Sequence, residues 1–307
     1  MNHLLISMAF LFLLVTPAKG QTNIAVMDSS SKQPLSYTTI YQFSTRSLFL
    51  SNNDGKMQLN ILTPDTIMVS NAGYKDKVIK IDPNRSMTVY LARDIKVLAE
   101  VVLKPCSQWS KSLSYKLPAD SGGTGSFLWG DMGDKARIGI FTGSQGLKGK
   151  LLSFEVDLKV GVRGTRETAK APLRFSFYSV DTSTMLPSDL LTARTILFYP
   201  KRTGIQHINA DSLNLMIPAE GMYIVLESYQ DEAYSYLVPI KMADGTIDSV
   251  KVYGGALDGI YTKRSWLAYY SFKKAQWVFG GGKPLDKTRM HSGIWFEMKY
   301  AVCNDKE

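Results

Sequence analysis

Ser51-Asn52-Asn53-Asp54-Gly55-Lys56-Met57-Gln58-Leu59, with Asp65-Thr66-Ile67-Met68-Val69-Ser70 and Asn71-Ala72-Gly73-Tyr74-Lys75 behind it, is the stretch that decides the fold. Short runs rich in β-formers alternate here with clusters of Asn, Asp and Gly. Such clusters supply the Asx turns and positive φ angles that reverse a chain, so each run reads as a strand and each cluster as a turn. The pattern extends outward in both directions. Strands are predicted at Asn23–Met27, Thr38–Gln42, Lys56–Leu59, Thr66–Ser70, Lys77–Ile81, Thr88–Leu91 and Glu100–Leu103. No window keeps apolar residues at i, i+3 and i+4, which removes the helical reading. Seven short strands at this spacing predict a β-sandwich.

The order Gln33-Pro34-Leu35, Ser51 to Leu59, Asp65 to Ser70, Gly73-Tyr74-Lys75, Val89-Tyr90-Leu91 and Leu98-Ala99-Glu100-Val101-Val102-Leu103 resembles the carboxypeptidase regulatory-like domain over residues 22–104. The resemblance implies a transthyretin-like, seven-stranded sandwich. It also implies an accessory module, non-catalytic in metallocarboxypeptidases and found elsewhere on exported enzymes and TonB-dependent outer-membrane receptors. Met57 stands where the family more often has an aromatic residue, a change of shape that a core tolerates.

Residues 105–126, rich in Pro, Gly, Ser and Lys, read as a linker. The remainder, 127–303, carries about ten predicted strands: Arg137–Phe141, Leu151–Leu158, Leu173–Tyr178, Ile196–Tyr199, Leu213–Ile217, Met222–Glu227, Ser249–Tyr253, Leu267–Phe272, Trp277–Phe279 and Ile294–Tyr300. That number suits a jelly-roll-like double sheet. Asp211 to Pro218 followed by Gly221 to Glu227 loosely resembles two consecutive strands of such a sandwich. The expectation is an all-β chain of two sandwiches.

Leu4 to Val15 is an apolar run followed by Thr16-Pro17-Ala18-Lys19-Gly20, the h-region and cleavage region of a secretory signal over residues 1–20. No later run approaches a membrane span, and no Cys stands at the predicted cut to carry a lipid. The expected location is therefore the periplasm or the outer-membrane surface of a bacterium, with an outer-membrane protein as a possible partner. In that oxidising setting Cys106 and Cys303 are candidates for a disulfide that would be worth on the order of 5 kcal/mol by chain entropy; two buried free thiols are the alternative.

Chemistry is sparsely provided for. A zinc peptidase needs two His and a carboxylate at fixed spacing, and beyond the signal only His207 and His291 remain, neither with a Glu three residues on. Thr142-Gly143-Ser144-Gln145-Gly146 lacks the first Gly of a serine-hydrolase elbow, and Ser144 to Lys150 lacks the leading Gly and closing hydroxyl of a phosphate loop. No metal and no cofactor is expected. Asp131 and Asp134 beside Gly130 and Gly133 read as Gly-Asp turns before they read as a calcium site. Glu155, Asp157 and Glu227 leave open a glycan-acting hydrolase with paired carboxylates.

The chain carries 36 Lys and Arg against 27 Asp and Glu. Much of that excess lies in residues 261–289, where seven cations face one acid, Asp286, among seven aromatic residues. Rings stack on sugars, and cations hold acidic groups, so this window is the candidate binding surface. Alternation sends Trp266, Ala268, Tyr270 and Phe272 to the core and leaves Tyr269, Lys273 and Lys274, with Lys263 and Arg264, for a glycan or another acidic envelope component. Nucleic acid is not an expected partner, since no nucleic-acid-binding fold is recognisable. The sequence thus predicts a non-catalytic binding or accessory protein; the other readings are the hydrolase and an assembly subunit offering an open edge strand.

Overall fold

The computed structural model describes residues 21–45, 47–94, 109–116, 121–128, 137–143, 149–160, 164–228, 232–241, 245–262, 267–272, 274, 276–279, 291–294 and 296–303. Among them there is no α-helix, only strands and three 3-10 turns. Residues 21–91 hold β1 (Gln21–Asp28), β2 (Thr39–Gln42), β3 (Ser47–Leu50), β4 (Lys56–Asn60), β5 (Asp65–Ser70), β6 (Lys77–Ile81) and β7 (Met87–Leu91). They form a three-stranded sheet, β4-β1-β7, and a four-stranded sheet, β3-β2-β5-β6. Ile24, Val26, Leu59, Val89 and Leu91 from the first sheet meet Ile40, Ile67, Val69 and Ile81 from the second in one buried cluster. Period-two alternation is cleanest in β1, because its other face looks outward. Strand β3 was not anticipated, and the predicted strand Glu100–Leu103 lies outside the described residues.

The turn that opened the sequence reading behaves as its residues require. Asn52 Oδ1 accepts hydrogen bonds from the amides of Asp54 (3.0 Å) and Lys56 (2.8 Å), and Gly55 takes φ +68°. A Cβ on Gly55 would stand 2.6 Å from the Val26 carbonyl oxygen. Gly55→Ala is therefore expected to cost roughly 1–3 kcal/mol, measured by urea unfolding; an unchanged midpoint would show that the turn can relax.

The rest of the described chain builds a second, larger pair of sheets. The middle sheet runs β13 (Pro187–Leu190), β12 (Leu173–Val180), β17 (Met222–Ser228), β10 (Arg137–Thr142), β21 (Leu267–Ser271), β22 (Gln276–Phe279), with β14 (Ile196–Phe198) also on β12. The distal sheet runs β23 (His291–Ile294), β20 (Ala256–Thr262), β11 (Gly149–Lys159), β24 (Phe296–Cys303), β8 (Trp109–Lys116). Strands β15 (Gly204–Asn209) and β16 (Met216–Ile217) join it on β11, and β9 (Ser121–Leu128) joins it on β20. Strands β18 (Ser235–Lys241) and β19 (Ile247–Tyr253) make a separate hairpin. Between the middle and distal sheets lies the largest core, where Phe154 packs at 4.9 Å from Phe175 and 5.9 Å from Phe296, ring centre to ring centre.

Two expectations need correction here. The segment 105–126 is not simply a linker: β8 pairs with β24 and β9 with β20, so the larger sandwich already takes in residues from 109 onward. Ser and Gly give poor strand signals, yet the ladder is made by backbone groups that need no side chain. In place of a strand from Leu213, residues Asp211–Leu213 form a 3-10 turn ended by Asn214 at φ 50°, leaving only the two-residue β16.

The four-stranded sheet of the first sandwich does not face solvent on its second side. Tyr41, Leu48 and Met68 pack there on Tyr270 and Phe272 beside the middle sheet, with Tyr41 stacked on Phe272 at 5.0 Å. The four sheets are thus layered in series, and the middle sheet is covered on both faces. Its strands accordingly read as continuous apolar runs such as Met222 to Leu226, which are buried throughout.

Candidate functional site

The face of the middle sheet turned toward the first sandwich carries a row of charge. Arg174 on β12 and Arg137 on β10 are each in register with Glu227 on β17 between them. Opposite this row stands Thr39, in register with Ser70 on the first sandwich. Arg174 bonds the Glu227 carboxylate, donates to Thr39 Oγ1 at 2.6 Å, and reaches the Tyr37 carbonyl. Arg137 Nη2 donates to Ser70 Oγ at 2.9 Å, while its Nε lies 2.9 Å from Glu227 Oε1 without hydrogen-bond geometry. Its guanidinium also sits over the rings of Tyr270 and Phe272, at 5.2 and 5.0 Å. The three charges are only 3%, 4% and 6% exposed for Arg174, Glu227 and Arg137. Burial pushes the Glu227 carboxyl up, but the Arg137 and Arg174 charges and the bonds from Arg174 and Thr39 outweigh it, so the group is held below its ordinary range.

Beside this row the two sandwiches part and leave a cleft of about 730 Å³. Its walls are the β5–β6 turn and Arg93-Asp94 of the first sandwich, and β13 with the residues after it, to Ala193, of the second. Its floor holds Tyr178, Tyr270 and Trp277. Trp277 meets Tyr178 at 5.7 Å and Tyr270 at 5.4 Å, edge to face in both cases, which fixes its plane. Burial lifts the Tyr178 hydroxyl to about 12, so it stays protonated at neutral pH. The Tyr270 hydroxyl donates to Asp76 Oδ2 at 3.1 Å. Behind the lining residues Arg93 and Tyr74, the buried Asp28 accepts from Arg93 Nε (2.8 Å) and from the hydroxyl of Tyr74 (2.9 Å). The Arg93 bond, with those from the Ser31 and Ser30 amides, holds the Asp28 carboxyl far below the usual range. Gly73 takes φ +83°, which favours glycine, and lies beside Ala193, where a Cβ would make an ordinary contact at 3.4 Å.

A second hollow, about 560 Å³, lies over the β4-β1-β7 sheet. It contains Lys56 but no aromatic ring, and one sandwich alone forms it. The interdomain cleft is the stronger candidate because rings and charges converge there from both sandwiches.

Of the residues anticipated for a binding surface in the basic window, Tyr269 is buried rather than exposed. Tyr269 is 8% exposed and belongs to the large core with Leu267, while Ala268, Tyr270 and Phe272 turn toward the opposite face. Both faces of β21 are buried, so alternation had no solvent side to assign. Lys274 is exposed in the β21–β22 turn, where its amide meets the Ser271 carbonyl at 3.2 Å. Lys263, Arg264 and Lys273 lie outside the described residues, as do Cys106 and the side chain of Cys303, so the disulfide call falls there too; Asp131 and Asp134 also fall outside. Glu155 and Asp157 share the outer face of β11, paired with His207 at 3.2 Å and Lys159 at 2.7 Å, away from Glu227 on the other sheet. Among the described residues no group of three or more His, Cys, Asp or Glu is placed to hold a metal, and no helix is long and apolar enough to cross a membrane.

No protein-family model matches the chain, and no curated protein matches it in sequence. Among solved structures it is distantly similar to a "putative carbohydrate binding protein" from Bacteroides uniformis, at 5% identity over 78% of this chain and 98% of that one, with a TM-score of 0.21. It is also similar to a DUF3823 family protein from the same organism, at 9% identity over 92% and 98%, with a TM-score of 0.19. Likeness this distant carries no conclusion about a ligand.

Proposed function

We propose that the protein is an exported, non-catalytic binding or accessory protein of a bacterial envelope, with a first sandwich of the carboxypeptidase regulatory-like type, and that it holds a glycan in the cleft between its sandwiches. The observation that carries the reading is the cleft lining, where Tyr74, Tyr178, Tyr270 and Trp277 stand among Asp76, Asp94 and Asp189. Rings offer flat apolar faces to the C–H side of a sugar, and carboxylates accept from its hydroxyls. The export pattern of residues 1–20 supports the envelope location. Against hydrolysis stands the state of Glu227: buried, ionised and held by two arginines, it has no proton to give a leaving group.

A glycan array probed with the purified protein and with Trp277→Ala tests this. Wild-type binding that drops at least tenfold in the variant is the expected result. Binding that Trp277→Ala leaves intact would move the site elsewhere, and an array with no bound glycan would remove the reading.

A further inference from the structure

We infer that Tyr270 is the positioning residue of this cleft: its hydroxyl, acting through Asp76, and its ring, acting through Arg137, set the 70–76 turn of the first sandwich opposite Trp277, so that a glycan meets walls already in place. The inference rests on the cleft being the binding site and deepens that reading. The turn is first built firmly on its own sandwich. The Lys75 amide donates to the Ala92 carbonyl (2.8 Å), the Asp94 amide to the Gly73 carbonyl (2.9 Å), and Asn71 Nδ2 to Thr38 Oγ1 (2.7 Å). Among the described residues, a bond then crosses to the second sandwich at each end of the turn. At its start Ser70 Oγ accepts from Arg137 Nη2 at 2.9 Å, and at its end Asp76 Oδ2 accepts from the Tyr270 hydroxyl at 3.1 Å. The two donors are themselves joined, since the Arg137 guanidinium lies 5.2 Å from the centre of the Tyr270 ring. That ring has little room to swing away. Tyr270 is 9% exposed and meets Phe272 at 5.1 Å, which is in turn stacked on Tyr41 of the first sandwich at 5.0 Å. Its other neighbour is Trp277, directly across the β21–β22 ladder, at 5.4 Å. One side chain thus touches the cleft floor and ties down the wall that carries Tyr74. Walls fixed before the ligand arrives need no ordering when it binds, and the bond from Tyr270 supplies that advantage.

Tyr270→Phe removes the hydroxyl and keeps the ring. Urea unfolding of the full-length wild type, Tyr270→Phe, Asp76→Ala and the double variant reads the bond without ligand. Isothermal titration of the same four with the tightest-binding glycan of the array reads its effect on the site. Tyr270→Phe is expected to lower the urea midpoint by roughly 0.2–0.5 M and the affinity by roughly two- to tenfold, the worth of one hydrogen bond, and Asp76→Ala to lower each at least as much. The double variant is expected to lose no more than Asp76→Ala alone in either measurement, because both changes break one contact. Asp76→Asn, which keeps an oxygen to accept from the hydroxyl, is expected to recover most of both losses. A Tyr270→Phe midpoint equal to that of the wild type, or midpoint losses that add in the double variant, would overturn the inference. Tyr270→Phe weakening the glycan equally in the Asp76→Ala background would mean that the hydroxyl touches the sugar itself. Unchanged affinity in Tyr270→Phe beside a loss in Trp277→Ala would mean that the wall needs no pin. Either result overturns the positioning role and leaves the cleft reading standing, whereas affinity that Trp277→Ala leaves intact would overturn both.

Discussion

Glu227→Gln is expected to destabilise the protein by roughly 3–5 kcal/mol, the penalty for removing one partner from a buried ion pair. The neutral amide would leave the Arg137 and Arg174 guanidiniums in register across β17 with no anion between them. They would repel each other where neither can reach water, at the junction that sets the cleft. Replacing all three, Arg137→Met, Glu227→Leu and Arg174→Met, should recover much of the loss, because an apolar trio needs no desolvation. Chemical denaturation of the wild type, Glu227→Gln and the triple variant measures both effects. The same pair fixes a pH dependence. Since the folded-state pKa of Glu227 is lowered, its contribution is fully present above the unfolded value of about 4.3 and is lost as pH falls through the lower, folded value. Asp28, also lowered, acts in the same direction. Stability should therefore fall on acidification below about pH 4, and that fall should be shallower in the apolar trio.

Phe154→Ala is the other large effect expected, roughly 3–5 kcal/mol. The Phe154 ring has no exposed surface and is enclosed by Phe175, Phe177 and Phe296 at 4.9 to 6.2 Å. Strand β11, which carries it, is bonded to four other strands of the distal sheet, so the surroundings cannot close readily on the space left. Urea unfolding followed by tryptophan fluorescence reads the loss; a cost below 1 kcal/mol would mean that the large core is looser than its contacts indicate.

Much of the fold was legible in local chemistry. Asn52 and Gly55 mark their turn in the sequence because an Asx bond and a positive φ are local events. The runs at Ile24 and Ile67 announce strands for the same reason. What local chemistry could not announce was the burial of the middle sheet on its second face. Tyr269 and Tyr270 look alike in the sequence; Tyr269 enters the large core, and the arrival of Tyr41, some 230 positions earlier in the chain, covers Tyr270 on the other face. Strand β9 was hidden by its glycines, although its backbone pairs antiparallel with β20, with a shift of register between Gly259 and Tyr261. The cleft was least visible of all. Gly73-Tyr74-Lys75 stood out as a turn and Trp277 as an aromatic in a basic window, but their meeting depends on the stacking of two sandwiches. The charge excess of residues 261–289 pointed to acidic ligands, whereas the aromatic residues of that window which reach the cleft, Tyr270 and Trp277, share it with Asp76, Asp94 and Asp189.

Hydrogen exchange on the full-length protein, free and saturated with the tightest-binding glycan of the array, tests the central claim most directly. The account predicts slowed exchange at the 70–76 turn of the first sandwich together with slowed exchange at 188–193 and 276–279 of the second. Protection confined to one sandwich, or lying over the hollow of the β4-β1-β7 sheet, would contradict it.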